Sequence, residues 1–213
     1  MRIQLSSSPE TTFFTSDPHY SHRNLCSATS RWSSSPAIRR HSSMEEMNDA
    51  LVSAINSRVG EEDTLWILGD VAFSGASQVL EYRRRIVCRN VHLVRGNHDH
   101  HVPVPGERDF DEKRVLHDAF SSVCDYAEIQ MTNSPLIVAT HYPLASWNKD
   151  SRNLHLHGHL HSRHGSHVTP GAYAGVYNRV DVGVDGSPGY APYSVSELLK
   201  LAQRTDSGGS TRH

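Results

Sequence analysis

Short apolar runs alternate with stretches of three-and-four spacing along most of this chain. Thr11–Ser16, β-branched and aromatic, reads as a first strand that ends at Asp17. After a loop rich in Ser, Arg and Pro, Ser43-x-x-Glu46 has the form of a capping box. Met44, Met47, Leu51, Ala54, Ile55 and Val59 then recur at helical spacing, which predicts an amphipathic helix with one buried stripe. Leu65–Leu68 is an unbroken apolar run, the pattern of a strand buried on both faces. A helix is predicted over Ser77–Val87 and a strand over Val91–Val94. The charged, proline-bearing stretch His100–Asp111 reads as loop, Val115–Phe120 as a short helix and Pro135–Thr140 as a strand. Histidine alternates with other residues over His155–His161, and Val180–Asp185 reads as a further strand. Ser194-x-x-Glu197 opens a last helix carrying Val195, Leu198, Leu199 and Ala202. From Thr205 the chain is polar and glycine-rich, so residues 205–213 are expected to be a disordered tail. Strands alternating with helices predict an α/β fold.

Composition narrows the class. The 213 residues suit one domain, expected over residues 1–204, and 37% hydrophobic with 21% charged residues is a globular balance. A formal net charge of −2 gives no basic excess for an extended nucleic-acid footprint. Cys26, Cys88 and Cys124 are scattered, with no CxxC, and read as free thiols in a reducing, cytoplasmic setting. The N-terminus has no apolar core of a secretory leader, and no apolar stretch approaches the roughly 20 residues of a membrane helix.

Histidine changes the picture, with 16 in the chain. Asp17-Pro18-His19, Gly69-Asp70, Gly96-Asn97-His98-Asp99, the lone His141 and Gly158-His159-Leu160-His161 follow one another, each after an apolar run. In open α/β sheets ligands gather at the carboxyl ends of strands, where all of these sit. The set offers carboxylates from Asp17 and Asp70, the Asn97 amide oxygen and imidazoles from His19, His141, His159 and His161. His98 and Asp99 are left for proton chemistry. Residues two apart on a strand share a side, so Asp17 and His19 can approach one ion together, and His159 and His161 one site. Asp70, with two oxygens, can bridge two cations. Gly69, Gly96 and Gly158 each precede a proposed ligand, although any one alone reads as an ordinary turn glycine. Of the other histidines, His92 and His117 read as surface or satisfied core residues. His100, His101, His164 and His167 read as exposed loop residues, and His155 and His157 as packing or a substrate rim.

In this order the motifs resemble those of the calcineurin-like metallophosphoesterase superfamily from Phe13 to His161, and weakly to Asp185. Thr15–Asn24, Leu68–Phe73 and His141-Tyr142-Pro143-Leu144 resemble more narrowly its small bacterial and phage branch. The resemblance implies a four-layer αββα sandwich and two divalent metal ions. Asp17, His19 and His161 would hold one ion and Asn97, His141 and His159 the other, with Asp70 bridging. His98 would stand beside the scissile phosphate and Asp99 would orient it. Phe73 stands where purple acid phosphatases carry a tyrosinate and protein phosphatases an aspartate, which excludes both branches. The chain also has little room for the extra domain of the large repair nucleases.

The expected chemistry is direct hydrolysis of a phosphodiester, such as a 2′,3′-cyclic nucleotide or a short nucleotide diester. The two ions would activate a water and His98 would act as general acid. An oxygen and nitrogen donor set without thiolate suits Mn²⁺, the favoured ion, Fe or Zn²⁺ better than Ca²⁺. His22, Arg23 and Asn24 are substrate-contact candidates. Trp147 is a candidate for stacking on a base, although a loop tryptophan is more often packing. A phosphomonoesterase would need a second basic clamp that no motif supplies. A metal-stabilised binding module with no turnover is the alternative from another class, and the His98-Asp99 pair argues against it.

Overall fold

In a computed structural model, which describes residues 1–32, 34–35, 37–163, 168–169 and 178–206, the apolar runs become two sheets. The expectations for His164, His167 and the tail beyond residue 206 lie outside the described residues. Strands β1 (Arg2–Leu5), β6 (Ala127–Met131), β7 (Ile137–Ala139), β8 (Leu154–His157), β10 (Arg179–Asp181) and β9 (Val168–Thr169) form a six-stranded sheet in that order. Strands β11 (Tyr193–Ser194), β2 (Thr12–Thr15), β3 (Thr64–Ile67), β4 (Asn90–Val94) and β5 (Ser122–Cys124) form a five-stranded one. All pairings are parallel except β6–β7, β9–β10 and β2–β11.

The sheets face each other through Phe14, Trp66, Leu68 and Val94 on one side and Ile129, Ile137, Leu154, Leu156 and Val180 on the other, all buried. Each large apolar side chain so buried contributes ~1.5–3 kcal/mol, so this layer fixes how the two sets of strand ends meet. The outer face of the five-stranded sheet (Phe13, Leu65, Ile67, Val91, Leu93) is covered by α1 (Met44–Asn56), α2 (Ala76–Arg85) and α3 (Phe110–His117). Helix α4 (Val195–Asp206) inserts Val195 and Leu198 into the inter-sheet layer. Across the six-stranded sheet, Leu136 and Val138 pack against Trp147. Trp147 is buried and its Nε1 donates to the Asn153 carbonyl, so it is packing and not a stacking platform.

Caps explain the helix starts. Ser43 Oγ accepts from Glu46 N (3.0 Å), but the Glu46 carboxylate reaches Ser42 N (2.7 Å), so the box closes one residue early. At α4 the box is reciprocal, with Ser194 N to Glu197 Oε2 (2.8 Å) and Glu197 N to Ser194 Oγ (3.3 Å). Helix α4 carries Thr205 and Asp206, so the helix outlasts the expected domain end by two residues. Helix α3 begins at Phe110, well before Val115, because Asp111 and Glu112 favour a first turn there. Helix α2 stops at Arg85, where Ile86 turns extended and is buried in the core. Strands β1, β5, β6, β9 and β11 were not expected. The predicted strand over Val180–Asp185 is β10, followed by a 3-10 turn at Val184–Gly186.

Candidate metal centre

The site grows out of sheet register. Thr15 lies opposite Ile67, and the pairing continues past both strand ends with Asp17 N to Gly69 O and His19 N to Asp70 O, each 3.0 Å. Ile67 opposite Leu93 extends the same alignment toward Gly96. From the other sheet, β7 and β8 run in parallel into His141 and Gly158, joined by Gly158 N to His141 O (2.9 Å). Hydrogen bonds tie the sheets together at this end, among them His141 Nδ1 donating to the Leu68 carbonyl (2.8 Å) and His159 N to Asp17 Oδ2 (2.8 Å). The carbonyl can only accept, so His141 keeps its Nε2 lone pair free for the site.

Around this crossing, Asp70 Oδ2 stands 3.5 Å from His19 Nε2 and 3.6 Å from His141 Nε2. Asp17 Oδ1 lies 3.9 Å from both His19 Nε2 and His161 Nε2. Asn97 Oδ1 is 3.1 Å from His141 Nε2. His159 is exposed at the rim, its ring 5.1 Å from His141 and 4.6 Å from Tyr142. The candidate donors of Asp17, His19 and His161, and those of Asp17, Asp70 and His141, fall within 4.8 Å of one another. Most of these separations exceed a hydrogen bond, whereas two donors about 2.1 Å from one ion stand at most about 4.2 Å apart. Asp17 Oδ1 is buried with no hydrogen-bond partner. A buried carboxylate oxygen without a donor, facing two imidazole nitrogens, fits a divalent cation.

Strand alternation does not explain the grouping. Asp17, His19, Asp70, His159 and His161 all have positive φ (56°, 46°, 54°, 70° and 49°), so each lies in a left-handed turn beyond a strand. These five are half of the described non-glycine residues with positive φ. Each such conformation costs on the order of 1 kcal/mol or more and persists only where the surroundings hold it. Two glycines let the turns close. A Cβ on Gly96 would strike Asp70 Oδ1, and one on Gly158 would strike Ser16 Oγ and Asp17 Oδ2. Both positions thus need a bare backbone, which a turn alone would not require.

Arg39 supplies the strongest brace. It is buried and makes a two-pronged ion pair with Asp185 (2.8 and 3.0 Å), while also donating to the carbonyls of Pro18 (2.6 Å) and Asp17 (2.8 Å). Asp185 Oδ2 in turn accepts from His161 Nδ1 (2.7 Å), directing Nε2 toward Asp17. Neither residue was singled out from the sequence as a site residue. Asp99 takes a different part from the one expected: Oδ2 accepts from Asp70 N (2.7 Å) and Gly96 N (2.8 Å), and Oδ1 from Val71 N (3.0 Å). Both oxygens are engaged by backbone, so Asp99 pins the Asp70 and Asn97 loops together, and among the described residues it accepts no hydrogen bond from the His98 ring. His98 has a side chain 41% exposed, its Nε2 4.0 Å from Asp70 Oδ2 and its ring against Phe73 and His19.

Electrostatics follow the burial. Burial pushes Asp17 up to about 6 against the pull of His161 and His141, and Asp99 likewise to about 6 against its amide bonds. Burial, then the charges of His161 and Arg39, bring His19 down to about 2, leaving a neutral imidazole. At His161 burial opposes protonation, but the Asp185 hydrogen bond and the Asp17 and Asp185 charges raise its pKa. Asp185 is held well below the carboxylate range: the Arg39 charge and the His161 and Arg39 hydrogen bonds outweigh its burial.

The remaining expected residues divide. His22 is buried and lines a cavity of about 300 Å³ over the cluster, with His19, Trp32, Asp70, Asn97, His98, His159 and His161. Arg23 and Asn24 face a neighbouring hollow. Trp32, unmarked in the sequence, is the exposed aromatic of the cavity (43%). His155 is packing, with Nδ1 on the Val138 carbonyl and Nε2 accepting from Leu144 N. His157 is buried on the Gly158 carbonyl, and His92 is a satisfied core residue stacked on Trp66 and bonded to Ser122. His101 is half-buried, not exposed, whereas His100 is exposed as expected.

Residues 11–181 match the calcineurin-like phosphoesterase family. The chain belongs to that family, which implies metal-dependent phosphoester hydrolysis. Over 175 residues it is 29% identical to the Gene 66 protein of Mycobacterium phage L5, covering 71% of this chain and 77% of that one. Over 158 residues it is 27% identical to the uncharacterized protein MJ1445 of Methanocaldococcus jannaschii, covering 71% of this chain and 70% of that one. These relatives are consistent with a small phage and bacterial branch. The crystal structure of AQ665, a protein of unknown function from Aquifex aeolicus, shares the fold, with a TM-score of 0.56 and 22% identity over 89% of this chain and 98% of that one. No helix among the described residues is long and apolar enough to cross a membrane.

Arg39→Met removes one partner of a buried pair and frees two carbonyls. It is expected to lower the unfolding free energy by about 3–5 kcal/mol in urea titrations and to weaken metal uptake. A variant within about 1 kcal/mol of the parent, with full metal content, would contradict the bracing role.

Proposed function

We propose that the chain hydrolyses phosphodiesters at a two-ion centre, with Mn²⁺ the favoured ion and a small nucleotide ester the substrate. Asp17, His19 and His161 would hold one ion, Asn97, His141 and His159 the other, and Asp70 both. The single observation that carries this reading is Asp70 Oδ2 between His19 and His141, beside the unpartnered Asp17 oxygen. When bound, the ions supply charge for the phosphoryl oxygens and lower the pKa of water at the site.

The protein residues do the rest. Asp185 and the Leu68 carbonyl fix the ring nitrogens of His161 and His141. His98, half-exposed at the cavity and not needed to hold a cation, donates a proton to the leaving oxygen as its bond to phosphorus breaks and water oxygen bonds in its place. Its position favours an enzyme over a binding module without turnover. The preference for a diester rests on the lining: among the described residues no lysine or arginine faces the cavity over the cluster, and a monoester's terminal oxygens call for one. Trp32 offers an apolar face to a base. The three cysteines are free and buried, in keeping with a cytoplasmic setting.

Two measurements check this. Metal-stripped protein given back Mn²⁺ is expected to cleave bis-p-nitrophenyl phosphate faster than p-nitrophenyl phosphate, and preference for the monoester would overturn the diester reading. His98→Ala is expected to lower kcat by about 10²–10⁴-fold at unchanged metal content. Full turnover in that variant would remove His98 from the chemistry.

A further inference from the structure

A second hollow, of about 290 Å³, adjoins the cavity over the metal cluster and is lined by His22, Arg23, Asn24, Arg31, Phe73 and Ser74. His22 lines both spaces, and Phe73 forms the partition, its ring 3.9 Å from His22 and 5.3 Å from His98. The hollow's charge is of one sign. Arg23 and Arg31 are exposed, its lining contains no carboxylate, and among the described residues neither guanidinium forms an ion pair. The sequence explains the imbalance: between Asp17 and Glu45 the chain carries Arg23, Arg31, Arg39 and Arg40 and no acidic residue. Arg39 is committed to Asp185 and Arg40 lies outside the lining, so Arg23 and Arg31 are the two that reach the hollow. The loop is also held in shape. Asn24 N donates to His22 Nδ1 (3.2 Å), Arg31 N to Asn24 Oδ1 (3.1 Å), and Thr29 Oγ1 to the Arg23 carbonyl (2.8 Å). Asn24, a substrate-contact candidate from the sequence, lines this hollow and also closes the turn that brings the two arginines to one space.

We propose that this hollow binds a second phosphate of the substrate, next along the chain from the scissile one, so that the preferred ligand is a nucleotide diester with an additional phosphate group. A planar guanidinium matches phosphate oxygens in two-pronged fashion, and two of them with no competing carboxylate favour a dianion. The scissile group would lie over Asp70 and His98, the joining nucleoside across His22 beside Trp32, and the second phosphate between Arg23 and Arg31. This rests on the phosphodiesterase reading above, and it adds a specificity that the metal cluster does not supply.

The test uses the full chain with Mn²⁺ and a thymidine dinucleotide in three forms: free hydroxyls at both ends, a 5′-phosphate, and a 3′-phosphate. In the parent protein at least one phosphorylated form is expected to exceed the unphosphorylated one at least tenfold in kcat/KM. In Arg23→Ala/Arg31→Ala that ratio is expected to fall to near one. Calorimetric titration of the same three ligands reads the preference independently of turnover. Ratios near one in the parent, or a preference that survives the double substitution, would overturn the second-phosphate site. Failure to cleave any diester, bis-p-nitrophenyl phosphate included, would instead overturn the hydrolase reading and leave the titration ratios to decide the hollow.

Discussion

The buried guanidinium of Arg39 ties three distant parts of the chain to one point. Its two prongs on Asp185 connect a surface loop to a turn 146 positions away, and its other hydrogens fix the consecutive carbonyls of Asp17 and Pro18 between the first two left-handed residues. Asp185 passes the constraint to His161. Without such a brace the strained turns at Asp17, His19 and His161 would relax toward ordinary backbone, and their donors would no longer face one point. The Asp99 carboxylate plays the matching part on the other flank, gathering the amides of Asp70, Val71 and Gly96.

These braces assemble a cluster that is poorly balanced by itself. Burial raises Asp17 and Asp99 into the range near 6, and Asp17 keeps an oxygen with no donor. A divalent cation supplies the partner that the bare Asp17 oxygen lacks. Metal binding at the proposed centre would therefore be coupled to the order of the strand-end turns, as it is wherever ligands are organised by the fold and would be scattered in the unfolded chain.

Much of this was legible in the sequence, because apolar runs mark strands and the chemistry sits where strands end. Leu65–Leu68 announced both β3 and the placement of Asp70, and Ser194-x-x-Glu197 announced α4. Short and edge strands escaped, since Tyr193–Ser194 and Arg2–Leu5 become strands only through distant partners. Strand β6 was readable: Ala127, Ile129 and Met131 alternate with Glu128 and Gln130. The grouping of Asp17 with His19 was anticipated for the wrong reason, since turns and not strand faces bring them together. Arg39 is one arginine among several in a serine-rich loop, and its value lies in a partner too remote for any local pattern. Asp99 sits inside a recognisable motif, yet only the backbone around it reveals its use. Trp147, a stacking candidate in the sequence, is buried instead, because burial of a loop tryptophan depends on which sheet the loop crosses.

Whether two ions share Asp70 can be read from anomalous scattering of crystals soaked in Mn²⁺. Two peaks roughly 3.5–4 Å apart are expected. One should touch Asp17, His19 and His161, the other Asn97, His141 and His159, with the Asp70 carboxylate on both. A single peak at saturating Mn²⁺, or two peaks that leave Asp70 uncoordinated, would contradict a shared Asp70.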